Sequence, residues 1–202
     1  MPFLQYHVTD HCNLNCKGCA HYAPIAEEWF ANPSEFEKAL IYISPYADHC
    51  FSRFELMGGE PLLHPSIDLF ITLARKYLPN MDIRIVTNGI ILPQMPSSFF
   101  QVCSDNRIAI YISQYPIHLN YNNIIKQLSY FKVDFSFYGE YDDDKHFITY
   151  KLDPSGAQDP NLNYIHCGLG GRCLQIRNNR IYQCFITAYV EILNRYFKKV
   201  FS

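Results

Sequence analysis

Through residues 3–138, short β-rich runs alternate with helical patterns, and no other feature narrows the fold as far. FLQYHVT, RFELM, DIRIVT, RIAIYIS and VDFSFY read as five strands. Between the first two, SEFEKALIYI opens on Ser34 with Glu37 three residues later, the pattern of a capping box. PSIDLFITLARKYL carries apolar residues at 67, 70, 71, 74 and 78, one stripe of a helix. A weaker helix falls near 96–103, and YNNIIKQLSY is a short one. Strands spaced by helices in this way join through right-handed crossovers into a parallel sheet. Five strands by residue 138 are too few for a closed eight-fold barrel of ~250 residues. An open or partial α/β barrel is expected, with HFITYK (146–151) as a candidate sixth strand.

The pattern changes after the acidic run EYDDDKH (140–146), which reads as a solvated linker. DPSGAQDPNLN is a breaker-rich loop. LQIRNNRIYQC then reads as a hairpin about Asn178-Asn179, and AYVEILNRYFKKV as a terminal helix with apolar residues at 189, 192, 193, 196, 197 and 200. The chain therefore divides into a core over 1–145 and a small hairpin-plus-helix appendage over 146–202. With 202 residues, 49% of them apolar, it can bury one substantial core. A formal charge of −2 supplies no basic field for nucleic acid. The N-terminus lacks the basic and apolar regions of a signal peptide, and no window approaches the ~18 apolar residues of a membrane span. A soluble cytoplasmic protein is expected.

Eight cysteines are then the chemical question. In a reducing compartment, clustered cysteines bind metal or do chemistry more often than they form disulfides. Cys50 and Cys103 stand alone and read as core fillers. Cys12, Cys16 and Cys19 follow the first strand with spacing C-x3-C-x2-C, at the sheet edge where parallel α/β folds bind ligands. Structural zinc would take a fourth ligand, from His11 or His21. A 4Fe-4S cluster on three thiols would leave one iron open to an external ligand. Spacing alone does not separate these. LMGGEP (56–61) ends the second strand, and its glycines let a ligand approach the backbone closely. By that reasoning, bulk at Gly59 would block a ligand and leave the cysteine loop in place. TNG (87–89) ends the third strand at the same edge. His64 reads as structural, His7 as a strand residue and Asn88 as fixing a turn.

CNLNCKGC, GGEP and TNG, in this order at successive strand ends, resemble the radical S-adenosylmethionine superfamily. The resemblance spans roughly residues 3–138. It implies a partial (β/α)6 barrel and a 4Fe-4S cluster on Cys12, Cys16 and Cys19. It further implies S-adenosylmethionine on the open iron, reductive cleavage and hydrogen abstraction from an organic substrate. Electrons would come from a reductant such as flavodoxin or ferredoxin. Gly58, Gly59 and Glu60 would line the methionyl end of the cofactor, and Ser113, ending the fourth strand, is a ribose-contact candidate. No residue is assigned to catalysis on the substrate itself. The family often places an aromatic residue before the third cysteine. Here that position is Gly18, with Tyr22 as a stand-in.

Cys167, Cys173 and Cys184 surround the hairpin. They are unrelated thiols, a zinc knuckle, or ligands of a second iron–sulfur cluster. The last reading resembles the shortened C-terminal cluster segment (SPASM or twitch type) of some radical S-adenosylmethionine enzymes. Such a segment implies a peptide substrate most often, with a carbohydrate or nucleotide-sugar substrate as the rival. A zinc-holding interaction protein without turnover is the reading from another class.

Overall fold

A computed structural model of the chain describes residues 1–139 and 155–200. The expected strands form: β1 Phe3–Thr9, β2 Phe54–Gly58, β3 Ile83–Thr87, β4 Ile108–Ser113 and β5 Phe135–Tyr138. The hairpin follows as β6 Cys173–Arg177 and β7 Arg180–Tyr182. Asn178 and Asn179 both take positive φ, 50° and 56°, as the tight two-residue turn of a hairpin requires. Seven strands make one sheet in the order β5-β4-β3-β2-β1-β6-β7, parallel throughout except for the β6–β7 hairpin. The chain steps outward from β1 to β5, then returns to the free edge of β1. The candidate strand at 146–151 and the boundary at 145 lie outside the described residues.

The helices are α1 Pro33–Ile43, α2 Ala47–Cys50, α3 Ile67–Tyr77, α4 Ser97–Asp105, α5 Tyr121–Tyr130, α6 Pro160–His166, α7 Phe185–Ala188 and α8 Val190–Phe197. The start of α1 corrects the expected capping box. Asn32, not Ser34, is the N-cap, its side chain accepting from the Ser34 N–H at 2.8 Å, with Pro33 as the first helical residue. The terminal helix is two pieces, broken at Tyr189.

Alternation along the strands sorts the two faces of the sheet. Leu4, Tyr6, Val8, Phe54, Leu56, Ile83, Ile85, Ile108, Ile110 and Ile112 share one buried core with residues of α1, α3, α4 and α5. Within it, the Phe36 ring of α1 packs at a tilt against Tyr6 and Phe70, centroids 4.6 and 4.8 Å apart, and full burial of one such ring contributes about 2–3 kcal/mol. The intervening residues, among them Gln5, Glu55, Tyr111 and Ser113, face a cavity instead. A smaller cluster of Cys173, Phe185, Ala188, Tyr189 and Ile192 packs the C-terminal helices near Ala20, Tyr22 and Ile25 of the cysteine loop. No helix among the described residues is long and apolar enough to cross a membrane.

Candidate active site at the strand ends

The loop after β1 carries Cys12, Cys16 and Cys19, all half-buried. They line one cavity of about 530 Å³ together with Gly58, Gly59, Thr87, Asn88 and Ser113. Ladder bonds to the neighbouring strand end set the loop. Gly59 N–H donates to the Thr9 carbonyl and Glu60 N–H to the His11 carbonyl, both at 3.0 Å. Asn88 Nδ2 donates to Asn13 Oδ1 at 2.7 Å and approaches Cys12 Sγ at 3.7 Å, while its own Oδ1 accepts from Ile90 N–H. Asn88 thus fixes its turn, as expected, and also holds the cysteine loop.

The electrostatics of the three thiols favour a cation. Burial pushes Cys12 up to about 11, and the charges of Glu60, Cys16 and Cys19 add to it against one opposing N–H bond from Leu14. Cys16 is likewise raised by burial and by Cys19. Three thiolates here penalise one another unless a positive centre lies among them. The donor set therefore suits a metal or cluster. Among the described residues, no three His, Cys, Asp or Glu side chains converge tightly enough for a single ion.

Two expectations about GGEP are corrected. Glu60 does not line the cavity: it is fully buried, and its carboxylate accepts from Thr87 Oγ1 (2.7 Å), Asn88 N–H (2.9 Å) and Leu62 N–H (3.1 Å). Burial pushes it up to about 7 against those three bonds. Glu60 is the clamp that ties TNG to GGEP. The need for glycine at 59 also has another cause. A Cβ there would stand 2.1 Å from the His11 carbonyl oxygen, in the backbone of the cysteine loop itself. Gly59→Ala is therefore expected to destabilise the fold by about 3 kcal/mol and to displace residues 10–12, since overpacking against backbone has no easy relief. A denaturation midpoint equal to wild type would rule this out.

The remaining expected residues separate. Tyr22 lines a second groove, of about 550 Å³, on the side of the cysteine loop facing Ile186, Leu193 and Phe197; Cys16 and Cys19 border both spaces. Among the aromatic residues in the cavity wall, Tyr115 feels the cysteines: its hydroxyl is raised by burial and by the charges of Cys16, Cys19 and Cys12. It lies in an irregular loop after β4, which no sequence pattern marks. His64 is structural: Nδ1 accepts from Ser66 N–H and Nε2 donates to the Ala31 carbonyl. Cys167 is exposed, Cys184 half-buried and Cys173 buried. Cys173 donates to Gln5 Oε1 at 2.9 Å, accepts from Gln175 Nε2 at 3.2 Å, and is pushed up to about 12 chiefly by burial.

Sequence reasoning missed a buried polar network behind the loop. Arg177 of β6 grips Asp10 through two bonds, 3.0 and 2.7 Å, and reaches Glu191 of α8 at 2.7 Å. His7 Nδ1 donates to Asp10 at 3.3 Å and its Nε2 accepts from His21 Nδ1 at 3.2 Å. Asp10 precedes the first cysteine by two residues, so the network anchors the loop's entry to the C-terminal strand.

The model described as radical SAM superfamily matches residues 6–125. GTP 3',8-cyclase of Sulfurovum sp. (strain NBC37-1) is 32% identical over 94 residues, covering 46% of this chain and 29% of that protein. The enzyme of the same name from Campylobacter curvus (strain 525.92) is 30% identical over 92 residues, again 46% and 29%. The chain thus spans under a third of the length of these relatives. Among solved structures, BtrN in complex with AdoMet and 2-DOIA superposes with a TM-score of 0.61 at 16% identity, covering 97% of this chain and 80% of that one. Native anSMEcpe with bound AdoMet gives 0.50 at 17% identity over 67% and 44%. At such identities the likeness is one of fold, and it agrees with the mostly parallel seven-stranded sheet described above.

Proposed function

This chain belongs to the radical SAM superfamily, and from that premise we propose that it cleaves S-adenosylmethionine reductively and takes hydrogen from an organic substrate. The observation that carries the reading is the shared cavity, where three thiols of one loop face the ends of β2, β3 and β4. Cys12, Cys16 and Cys19 would hold a 4Fe-4S cluster, with an electron from a flavodoxin- or ferredoxin-type reductant. Bound together, cluster and S-adenosylmethionine supply a 5′-deoxyadenosyl radical.

The chain's own residues do the rest. The backbone at Gly58 and Gly59 would receive the methionyl end, in a place fixed by the bonds of Gly59 to Thr9 and of Glu60 to His11. Glu60 holds Thr87 and Asn88 in register with that seat. Ser113, ending β4 in the cavity wall, would contact the ribose. Met57, Val86, Tyr111 and Tyr115 of the cavity wall exclude water from the reacting centre. For the substrate we favour a small polar molecule of nucleotide or sugar type over a peptide. Gln5, Arg53, Glu55 and Ser113 put polar groups into an otherwise mostly apolar wall, and the relatives of about 30% identity act, by their names, on GTP. Cys167, Cys173 and Cys184 would serve a second cluster only after Cys173 gives up its two glutamine bonds.

The test is anaerobic reconstitution with iron and sulfide, followed by dithionite and S-adenosylmethionine. We expect about four irons per chain or more, and 5′-deoxyadenosine as a product. Zinc without sulfide, and an intact cofactor, would replace this reading with that of a zinc-holding interaction protein.

A further inference from the structure

At the other end of the cavity, where the strands begin, lies a charged group that neither the cysteine loop nor the strand-end segments use. Arg53, just before β2, is fixed at every level. Its carbonyl accepts from Leu4 N–H of β1 at 3.0 Å. Its guanidinium lies 3.7 Å from the centroid of the Phe3 ring. Its Nε donates to Glu55 Oε1, and the other oxygen of Glu55 accepts from Gln5 Nε2 at 2.6 Å. Neither Nη nitrogen of Arg53 has a hydrogen-bond partner among the described residues. Phe3, Gln5, Arg53 and Glu55 all line the cavity.

We propose that Arg53 seats an anionic group of the substrate, a phosphate or a carboxylate, at the end of the cavity opposite the cysteine loop. This rests on the cavity being the reaction chamber proposed above. The Arg53 side chain is 28% exposed and that of Glu55 only 4%, so a ligand meets the guanidinium edge and not the carboxylate. Both carboxylate oxygens are already engaged, so Glu55 orients the fork. Two Nη groups in one plane match the paired oxygens of a phosphate or carboxylate. From Arg53 to Gly58 the extended strand covers ~16 Å, at about 3.3 Å per residue. The anchored anionic group would therefore lie away from the strand end that receives the methionyl group.

Calorimetric titration of the anaerobically reconstituted protein with pyrophosphate and with malonate tests this. At least one probe should bind the wild type saturably, and the tighter of the two names the group. Arg53→Met should weaken that binding about tenfold or more, the worth of a charged bidentate contact. Arg84→Met removes the same charge from a side chain outside the cavity wall, already paired with Asp82, and should keep the wild-type affinity. Because Arg53→Met orphans a buried carboxylate, Arg53→Met/Glu55→Gln is measured beside it, with melting curves to confirm folding, and should show the same loss. No saturable binding by the wild type, wild-type affinity in the Arg53 variants, or an equal loss in Arg84→Met each overturns the anchor. Cofactor cleavage by the same wild-type sample is scored separately. Cleavage without anion binding sinks Arg53 alone, whereas Arg53-dependent binding without cleavage keeps the anchor and sinks the reaction.

Discussion

Replacing Cys12, Cys16 and Cys19 together with Ala should remove about four irons per chain, the content of one 4Fe-4S cluster, and abolish 5′-deoxyadenosine formation. All three thiols share one cavity and come from one loop, whereas Cys173, the other thiol in that wall, is engaged by Gln5 and Gln175. The fold should survive, because the half-buried loop contributes none of these cysteines to the main apolar core. An iron content unchanged from wild type would place the cluster elsewhere. The companion variant Cys167/Cys173/Cys184→Ala sharpens the result. If those residues hold a second cluster, it too loses iron but keeps substrate-free cofactor cleavage. Equal iron in this variant and wild type would leave the C-terminal segment as a cover over the loop.

The second large effect is on stability. Arg177→Met should cost about 3–5 kcal/mol, the usual penalty for orphaning one member of a buried ion pair, or roughly 10 °C in melting temperature at about 2–4 °C per kcal/mol. Arg177 and Asp10 side chains are 7% and 2% exposed, so water cannot replace the lost partner. Arg177 also lies 4.4 Å from the Trp29 ring centroid, a contact that Met only partly restores. The double variant Asp10→Asn/Arg177→Met should lose clearly less than the sum of its parts, because the buried charge goes with its partner. Additive losses would mean that the two residues act separately. The pair also sets a pH dependence. Burial alone would raise the Asp10 carboxyl, but its bonds and charge contacts with His7 and Arg177 outweigh it and hold the carboxyl below its usual value of 3.8. The unfolded chain therefore binds this proton more readily than the native one, so stability rises with pH in that range. The contribution is complete above about pH 4 and is lost as pH falls through the lowered value.

What could be read in the chain, and what could not, follows from how far each contact reaches. The five core strands, the Asn178-Asn179 turn and the three thiols of one loop are written in local patterns, since alternation, turn chemistry and spacing act over a few residues. The capping box was misplaced by two residues because Ser34 and Glu37 match the pattern, while Asn32 before Pro33 satisfies the geometry better. GGEP was legible as a site but not as a mechanism of assembly: only in three dimensions does Glu60 spend its carboxylate on Thr87 and Asn88, and only there does Gly59 meet the His11 carbonyl.

By itself the sequence determined the strand–helix alternation, the polar and apolar faces of each strand, and the family to which the cysteine, GGEP and TNG segments point. Tertiary structure alone decided that β6 closes on β1, which brings Arg177 onto Asp10 across 167 residues and Cys173 onto Gln5 across 168. It also decided that Arg53 and the cysteine loop occupy opposite ends of one cavity. The physical reason is that charge pairs and cavity walls between distant segments have no period. They arise when the sheet closes, and their partners carry no mark in sequence that one is meant for the other.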